Sequence, residues 1–352
     1  MPHEPALPYQ HTTALLLTIR NHNFIDNTEY FNKIMEGETI FGLHFCPSLS
    51  LQIAQYMGLD IGFVWKKYFG QIKPWNGMAP ILSTYYKNKH SVFVIGVFYL
   101  KDYQPTLIEP LCSPHHLLRK PFMEGIHFRA ESDTAYLAGW LDWLTLLSKK
   151  KSRPETFRFY LDGGFQLSKI QQTLDFKIPF QLAICHLGGQ GIPIKSYSLF
   201  AGAGGLLLAF MPPDHFIEKI TCAGYILLNK YAKKIDRPSK MGRGQLYTFD
   251  CTMRSIALSL SYWHGANFSS ENMGHPLYQS IRIQDNKVTH HEPSRKLLSA
   301  SLHKKWTLPQ DVTIEAIFRP YYDLNNQLLE YGLSFGLSYS GNFRLTTLHA
   351  DQ

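Results

Sequence analysis

Apolar residues at helical spacing mark the first 60 residues and predict a helical beginning. They recur in this way over residues 30–35, directly behind Asn27 and Thr28, two residue types that cap helices well. Residues 48–57 repeat the pattern and predict a second short helix. We therefore expect residues 1–60 to form an N-terminal helical region.

Beyond residue 60 the pattern becomes typical of strands. Residues 91–100 (SVFVIGVFYL) are almost all β-branched or aromatic and show no polar face, which predicts a buried central strand. A turn over 102–105 and a returning strand over 106–111 are expected next. Residues 135–148 are apolar around most of a helical circumference, so we expect a helix that is packed on several sides.

The segment 157–185 predicts the part of the fold that would carry a site. Residues 157–161 (FRFYL) predict a strand, and Asp162 follows it directly. A helix is expected over 165–174 and another strand over 180–185, most simply as a right-handed strand–helix–strand crossover. An acid at the carboxyl end of a strand lies where open α/β sheets place their sites.

The rest of the chain mixes strand, helix and loop patterns. Strands are predicted at 196–200, 206–210, 312–318 and 331–338, helices at 216–220 and 223–234, and a polar, His-rich loop at 267–293. We therefore divide the chain into the helical region up to residue 60, an α/β core over 61–260, and a loop-rich and β-rich extension over 261–352.

Composition is that of a folded protein, with 45% apolar and 18% charged residues. No window of about eighteen apolar residues is unbroken, so we expect no transmembrane helix. The apolar run over 14–19 has no basic segment before it and no small-residue cleavage site after it, so we expect no signal peptide. The 5 cysteines are far apart, which favours free thiols in an intracellular compartment, the nucleus of a eukaryote or the cytoplasm of a bacterium.

The net charge of +8 suits an anionic partner, and nucleic acid is the commonest one. An ordinary surface can also carry an excess of this size. Basic residues cluster in two runs: Lys149, Lys150, Lys151 and Arg153 form the first, and Lys230, Lys233, Lys234, Arg237, Lys240 and Arg243 form the second. We expect these runs to bind double-stranded DNA with salt-dependent affinity, a solvated surface being the alternative.

Two segments resemble the piggyBac-type transposases. Residues 160–165 (YLDGGF) with Ser168 are similar to the strand-end motif Y-x-D-N-x-F-T-S of that family. Residues 75–78 (WNGM), with Tyr85 and Lys89 before the next strand, are similar to its F-[RK]-G-R turn. The resemblance implies an α/β fold with an RNase H-like mixed sheet flanked by helices, and an ancestry in cut-and-paste DNA recombination.

The resemblance also implies three converging acids that hold two divalent ions, and Mg²⁺ prefers such carboxylate oxygens. Asp162 is then the second acid, Asp250 or Asp236 a candidate for the third, and Asp60 a displaced candidate for the first. Where the family places its first acid, this chain has Phe69, followed by Gly70. We therefore expect lost or weakened catalysis, and a Mg²⁺ requirement only where activity is retained.

Adjacent histidines at 115–116 and 290–291 are further metal candidates. Neighbouring side chains point apart on a strand, so we expect these histidines to be solvated in loops.

Three functions stay open at this stage. The first is a transposase-derived DNA-binding protein that is impaired in strand cleavage. The second is an active two-metal transposase, and the third is a structural or interaction protein without nucleic-acid binding. None of the three involves a membrane, and self-association is left open.

Overall fold

The computed structural model describes residues 12–53, 56–72, 77–103, 107–149, 153–170, 173–190, 196–213, 216–232, 237–284 and 287–349. Most of them lie in strands. In chain order these are β1 (Thr12–Glu29), β2 (Thr39–Ile53), β3 (Met57–Tyr68), β4 (Met78–Lys87), β5 (Ser91–Tyr99), β6 (Phe122–Glu131), β7 (Ala135–Thr145), β8 (Glu155–Ile170), β9 (Leu174–Gly188), β10 (Tyr197–Phe210), β11 (Lys219–Tyr231), β12 (Met241–Met253), β13 (Ile256–Ala266), β14 (Ile281–Gln284), β15 (Lys287–His291), β16 (Ser294–Leu308), β17 (Val312–Asp323) and β18 (Leu328–His349). One short helix, α1 (Pro114–Arg119), and 3₁₀ turns at Leu100–Tyr103 and Pro276–Tyr278 lie between strands.

All strands except β14 and β15 form one closed antiparallel barrel, and those two form a separate hairpin. Each barrel strand pairs with its neighbours in the chain, with β13 pairing directly to β16. The barrel closes where β1 pairs with β18, from Thr12 opposite His349 to Glu29 opposite Tyr331. Closure leaves the sheet without an edge, so all the strands can satisfy their backbone hydrogen bonds within the wall.

Side chains alternate between the lumen and the outer surface along each strand. Large apolar side chains are exposed on the outside, among them Leu206, Ile226 and Leu228. Inward positions include buried polar groups such as Thr18 and Asn229. An apolar outer face around a partly polar interior is the pattern of a barrel whose surface meets lipid.

The two ends of the barrel differ. Both termini of the described barrel lie at one end, together with short turns such as the one over 254–255. The opposite end carries the longer connections, above all those over 100–121 and 267–293. Membrane barrels show the same asymmetry between short periplasmic turns and longer extracellular loops.

The described residues of these two long loops form a plug that packs into the lumen. Leu111 from the first loop and Phe268, Met273 and Leu277 from the second are completely buried. The loops also bind each other through two backbone hydrogen bonds, Ser113 N to Met273 O (3.0 Å) and His275 N to Glu109 O (2.8 Å).

At Gly274 the two plug loops approach each other closely. A Cβ added there would lie 2.0 Å from the carbonyl oxygen of Pro110, so no side chain fits at this position.

The expected α/β, RNase H-like mixed sheet is wrong, and so is the helical N-terminal region. The described part of residues 1–60 forms β1, β2 and the start of β3, and β8 and β9 form an antiparallel hairpin in place of the expected crossover. The strands expected over 91–100, 157–161 and 180–185 are confirmed within β5, β8 and β9. The boundaries placed after residues 60 and 260 fall inside β3 and β13.

The helix expected over 135–148 is wrong for a physical reason. Most of these residues form β7, where Tyr136 and Trp140 face the packed lumen while Leu137 and Trp143 face outward. Both faces of the strand are therefore apolar, and the period-2 signal of a strand disappears. Among the described residues, no helix is long and apolar enough to cross a membrane.

Candidate active site in the barrel lumen

A carboxylate and an imidazole meet where α1 lies against the inner wall of the barrel. Asp26, on β1, is 2% exposed, and its Oδ2 atom lies 3.0 Å from Nδ1 of His115 on α1. Ser334, on β18, donates its hydroxyl to the other carboxylate oxygen of Asp26. Arg319, on β17, donates from Nη1 to the Ser334 hydroxyl oxygen at 3.3 Å. Residues from two further strands and one loop helix thus gather around the Asp26 carboxylate.

The cavity beside this carboxylate has a volume of about 180 Å³ and is lined by Asp26, His115 and Arg319 together with two further histidines. Of these two, His22 has its Nδ1 atom 2.8 Å from the hydroxyl of Ser338. The other is His44, whose Nε2 atom lies 3.0 Å from the carbonyl oxygen of Leu118. Because a carbonyl oxygen can only accept, Nε2 carries the hydrogen and donates it.

Gly336 leaves room for the His22 ring in this cavity. A Cβ at position 336 would lie 3.1 Å from Cε1 of His22, so a larger residue there would press on the ring.

The plug positions α1 and keeps the surrounding imidazoles neutral. The His275 ring lies 5.0 Å from that of His115 and stacks on Tyr321, with ring centroids 6.3 Å apart. Burial lowers the pKa of His275 well below its ordinary value, and the neighbouring His115 acts in the same direction. Burial likewise lowers the pKa of His116 to about 3. The His116 ring on α1 and the His275 ring beside it are therefore packed as neutral groups.

The arrangement can support proton transfer. A buried carboxylate beside Nδ1 favours the tautomer of His115 that carries its hydrogen there, and leaves the Nε2 lone pair as a base. Because His115 also lines the cavity, that base is available to a water molecule held there. Arg319 supplies a positive charge in the same cavity, where it can stabilise a developing oxyanion.

The acids predicted from the sequence lie elsewhere in the lumen. Asp162 is in the middle of β8, not at a strand end, and is 2% exposed. Its Oδ1 atom accepts hydrogen bonds from Gln181 Nε2 (3.0 Å) and the Tyr136 hydroxyl (3.4 Å). Gln181 Oε1 in turn accepts the amide of Ile108, 2.9 Å away, so this network holds the first plug loop to the wall.

The predicted acids that the structure describes do not come together, and Asp236 lies outside the described residues. Asp60 is on β3, where the Ser83 hydroxyl lies 3.5 Å from its Oδ2, and Asp250 is on β12, beside a second lumenal cavity of about 360 Å³. Neither strand neighbours the other or β8, which carries Asp162. Within the described ranges no three His, Cys, Asp or Glu side chains are grouped so that they could hold a metal ion. The conditional Mg²⁺ requirement stays a prediction.

The predicted basic runs divide into groups with different surroundings. Lys150, Lys151, Lys233 and Lys234 lie outside the described residues, and Lys149, Arg153 and Lys240 are exposed in loops at the loop-rich end. Arg237 turns inward and forms a buried ion pair with Glu271 (2.7 Å). Lys230 and Arg243 are exposed on the outer wall of the barrel.

Sequence reasoning missed Asp26, Arg319 and Ser334 and assigned His115 to a solvated loop, whereas His115 is only 8% exposed. One local signal was available. Ser113 and Pro114 stand directly before His115, and this is a helix-start pattern that places the histidine in a first helical turn. Nothing local to β1 distinguishes Asp26 from other strand residues.

The closed barrel, its apolar outer face and the long loops at one end define a membrane β-barrel of the outer-membrane class. Solved structures share this fold. A loop L8 deletion mutant of OmpT, an outer membrane protein of Vibrio cholerae, matches with a TM-score of 0.55 and 7% identity over 94% of this chain and 99% of that chain. In-vitro folded OmpT of Vibrio cholerae, in its trimer form, matches with a TM-score of 0.52 and 6% identity over 94% of this chain and 99% of that one.

The family model described as Lipid A 3'-O-deacylase-type matches residues 7–348. The chain belongs to this family. No curated protein matches its sequence.

These findings overturn the interpretation drawn from the sequence. The piggyBac resemblance is wrong, and with it the transposase and DNA-binding functions. The expectation that no membrane is involved is wrong, because the outer face of the barrel is apolar. The intracellular location is wrong for the same reason, since the chain has the fold of outer-membrane barrels.

Proposed function

We propose that this protein is a membrane-embedded ester hydrolase that removes an acyl chain from lipid A. The observation that carries the proposal is the contact between Asp26 and His115 in a lumenal cavity that also holds Arg319. The family supplies the substrate class. Hydrolysis of an ester needs a base, a water molecule and a stabiliser of negative charge, and this cavity offers the first and the third.

The geometry supports the following reaction. His115 Nε2 removes a proton from water as the oxygen attacks the ester carbonyl, and Asp26 stabilises the imidazolium that forms. Arg319 stabilises the negative charge on the former carbonyl oxygen. When the tetrahedral species collapses, the proton on His115 passes to the departing alcohol oxygen. The products are a free fatty acid and a lipid with one hydroxyl in place of the ester.

A water nucleophile suits the site better than a serine. The serine that contacts Asp26, Ser334, directs its hydroxyl hydrogen to the carboxylate. Ser338 contacts His22 and not His115. Among the described residues, no serine hydrogen-bonds to His115. Ser198 does contact His186, which lies near Glu155, but these three residues do not line the cavity.

An open pore is the function of some barrels of this size. The packed lumen argues against that function here, because the plug residues Leu111, Phe268 and Leu277 are completely buried inside the barrel.

The test uses the purified barrel in detergent with lipid A, and mass spectrometry to detect the loss of one ester-linked acyl chain. Removal of a general base lowers a rate by about 100- to 10,000-fold, and we expect that loss for His115→Gln and for Asp26→Asn. His303→Gln is the matched control, because His303 lies on β16 beside the second cavity.

Two results would contradict the proposal. One is a correctly folded parent protein that leaves lipid A intact. The other is a His115→Gln variant as active as the parent. Ser338→Ala separates the two nucleophiles: we expect its activity to persist, whereas a serine mechanism through His22 would lose it.

A further inference from the structure

A strip of basic residues crosses the outer wall of the barrel near its loop-rich end. Lys230 on β11, Arg243 on β12, His264 on β13 and Lys296 on β16 form this basic strip. Lys230, Arg243 and Lys296 are exposed and His264 is half-buried, whereas their sequence neighbours Asn229, Gly242, Trp263 and Arg295 are buried in the lumen. The strip therefore points away from the lumen.

Strand pairing makes these residues neighbours. His264 stands opposite Lys296, and Arg243 stands opposite Leu228, two residues before Lys230. His264 also stands opposite Gln245, two residues beyond Arg243. Adjacent strands are about 4.8 Å apart, so the strip extends about 15 Å around the wall.

An apolar surface lies directly beside the strip, toward the middle of the same strands. Its exposed members are Ile226, Leu228, Tyr247, Leu260 and Leu298. The four strands β11, β12, β13 and β16 are fully described, and none of their outward positions carries Asp or Glu. The positive charge of the strip thus has no compensating carboxylate within the wall.

A positive strip above an apolar wall matches the chemistry of a phosphorylated lipid. Lysine and arginine side chains at the edge of a membrane extend toward the headgroup region, where phosphates pair with them. Acyl chains of the same lipid can then cover the apolar wall below. A width of about 15 Å exceeds a single phosphate and suits a larger headgroup.

We infer that the basic strip is a docking site for the headgroup of a phosphorylated glycolipid of the lipid A class, separate from the hydrolytic cavity. The inference rests on the proposed function only for the choice of lipid, because docking on the outer wall needs no hydrolysis. Lys230 and Arg243 belong to the basic run that predicted DNA binding. Because both are exposed on the outer wall, the anionic partner that we propose for them is lipid phosphate.

The test measures binding apart from turnover. The purified barrel, in a zwitterionic detergent and carrying Asp26→Asn, is titrated with bisphosphorylated lipid A, and binding is followed by native mass spectrometry. The strip variant combines Lys230→Gln, Arg243→Gln and Lys296→Gln. The control combines Lys87→Gln, Lys89→Gln and Lys304→Gln, which remove the same charge at the opposite end of the barrel.

We expect the strip variant to bind lipid A at least tenfold more weakly than the parent, and the control to bind within twofold of it. Dephosphorylated lipid A should lose affinity for the parent by a similar factor. The single Arg243→Gln variant, expected to lose affinity by a smaller factor, keeps the test valid if the triple variant folds poorly.

Three outcomes would overturn the inference. The first is a strip variant that binds as tightly as the parent, and the second is an equal loss in the control. The third is phosphatidylglycerol binding as tight as that of lipid A, with the same dependence on the strip, which would make the site a general one for anionic lipids. A His115→Gln protein that no longer hydrolyses lipid A but still binds it would be consistent with the docking site. The docking proposal and the hydrolase proposal can therefore fail independently of each other.

Discussion

Arg295 is a sharp test of how the plug is held, because its side chain is completely buried inside the barrel. Its Nη1 atom donates to Asp323 Oδ2 (3.0 Å) and to Glu292 Oε2 (2.6 Å). Its Nε atom donates to the carbonyl oxygen of Leu277, 2.5 Å away in the second plug loop. Arg295 thus joins an acid of the wall, Asp323, to two groups of the second plug loop, the Glu292 carboxylate and the Leu277 carbonyl.

Arg295→Met removes all of these bonds while it keeps most of the side-chain volume. The variant leaves Asp323 buried without its cation, which costs about 3–5 kcal/mol. The orphaned Leu277 carbonyl adds about 1–3 kcal/mol. Asp323 keeps the backbone amides of Asn325 and Asn326 as donors, which offsets about 1–3 kcal/mol of this cost. We therefore expect the plug to be destabilised by about 3–5 kcal/mol.

The wall hydrogen bonds do not involve the Arg295 side chain, so the barrel should stay closed while the plug opens more often. A loss of 3–5 kcal/mol raises the open fraction roughly 150- to 5,000-fold. Hydrogen–deuterium exchange over residues 267–284 should accelerate accordingly, and planar bilayers should show current through the opened lumen. The control is Arg282→Gln, since Arg282 pairs with the exposed Glu36 and its loss costs about 1 kcal/mol or less.

Unchanged exchange and conductance in the Arg295→Met protein would refute this account of the plug. A second variant strengthens the test. Arg295→Met combined with Asp323→Leu removes the orphaned acid, so at least half of the lost protection should return. If the double variant were as open as the single one, the ion pair would not be the cause.

Two further predictions concern the same plug. Acidification should destabilise the plug, because burial lowers the pKa of His116 to about 3 and only the opened loop takes up a proton. The free energy of opening the plug should fall by about 2 kcal/mol between about pH 7 and pH 5. Protease cleavage in the loop should rise over that interval, and a His116→Gln variant with the same pH dependence would contradict this. Asp162→Leu should remove the partner that holds Gln181, and hydrogen exchange at the Ile108 amide should speed up by an amount equivalent to about 1–3 kcal/mol. Asp250→Leu is the control, in which this exchange rate should stay unchanged. Equal rates in the two variants would contradict the role of the Asp162 network.

The sequence predicted strands well where both chemistry and pattern favoured them. Residues 91–100 are nearly all β-branched or aromatic, and they form β5. The same reasoning failed at β7, because the lumen of this barrel is packed with aromatic side chains such as Trp140 and Tyr160. A strand with lipid on one side and a hydrophobic plug on the other shows no alternation, and its apolar residues then mimic a buried helix.

Charge and cysteine content were informative about chemistry but not about compartment. The positive excess predicted an anionic partner, and the one that we propose is lipid phosphate in place of nucleic acid, because Lys230 and Arg243 are exposed on the outer wall. The cysteines are free thiols, as the wide spacing predicted. Burial protects the thiols of Cys46 and Cys185 from oxidants in any compartment, whereas Cys222 is exposed.

The candidate site could not be predicted from the sequence because its members meet only through closure of the barrel. Asp26 lies on the first strand and Ser334 on the last, and these strands pair only because the chain returns to its start. His115 reaches them from a loop that folds into the lumen. No local sequence spacing indicates that the first and last strands pair, or that this loop enters the lumen.

Burial explains why such a carboxylate is informative once the fold is known. A charged group in the interior of a membrane barrel is costly unless it is paired, and Asp26 has partners in His115 and Ser334. For a purely structural role, apolar residues would serve at least as well, because replacing a buried ion pair by apolar groups of similar volume often leaves the folding free energy unchanged or improves it. The retention of an acid and an imidazole beside a cavity therefore favours chemistry over packing, and it makes the Asp26→Asn and His115→Gln variants the measurement on which the proposed hydrolase depends.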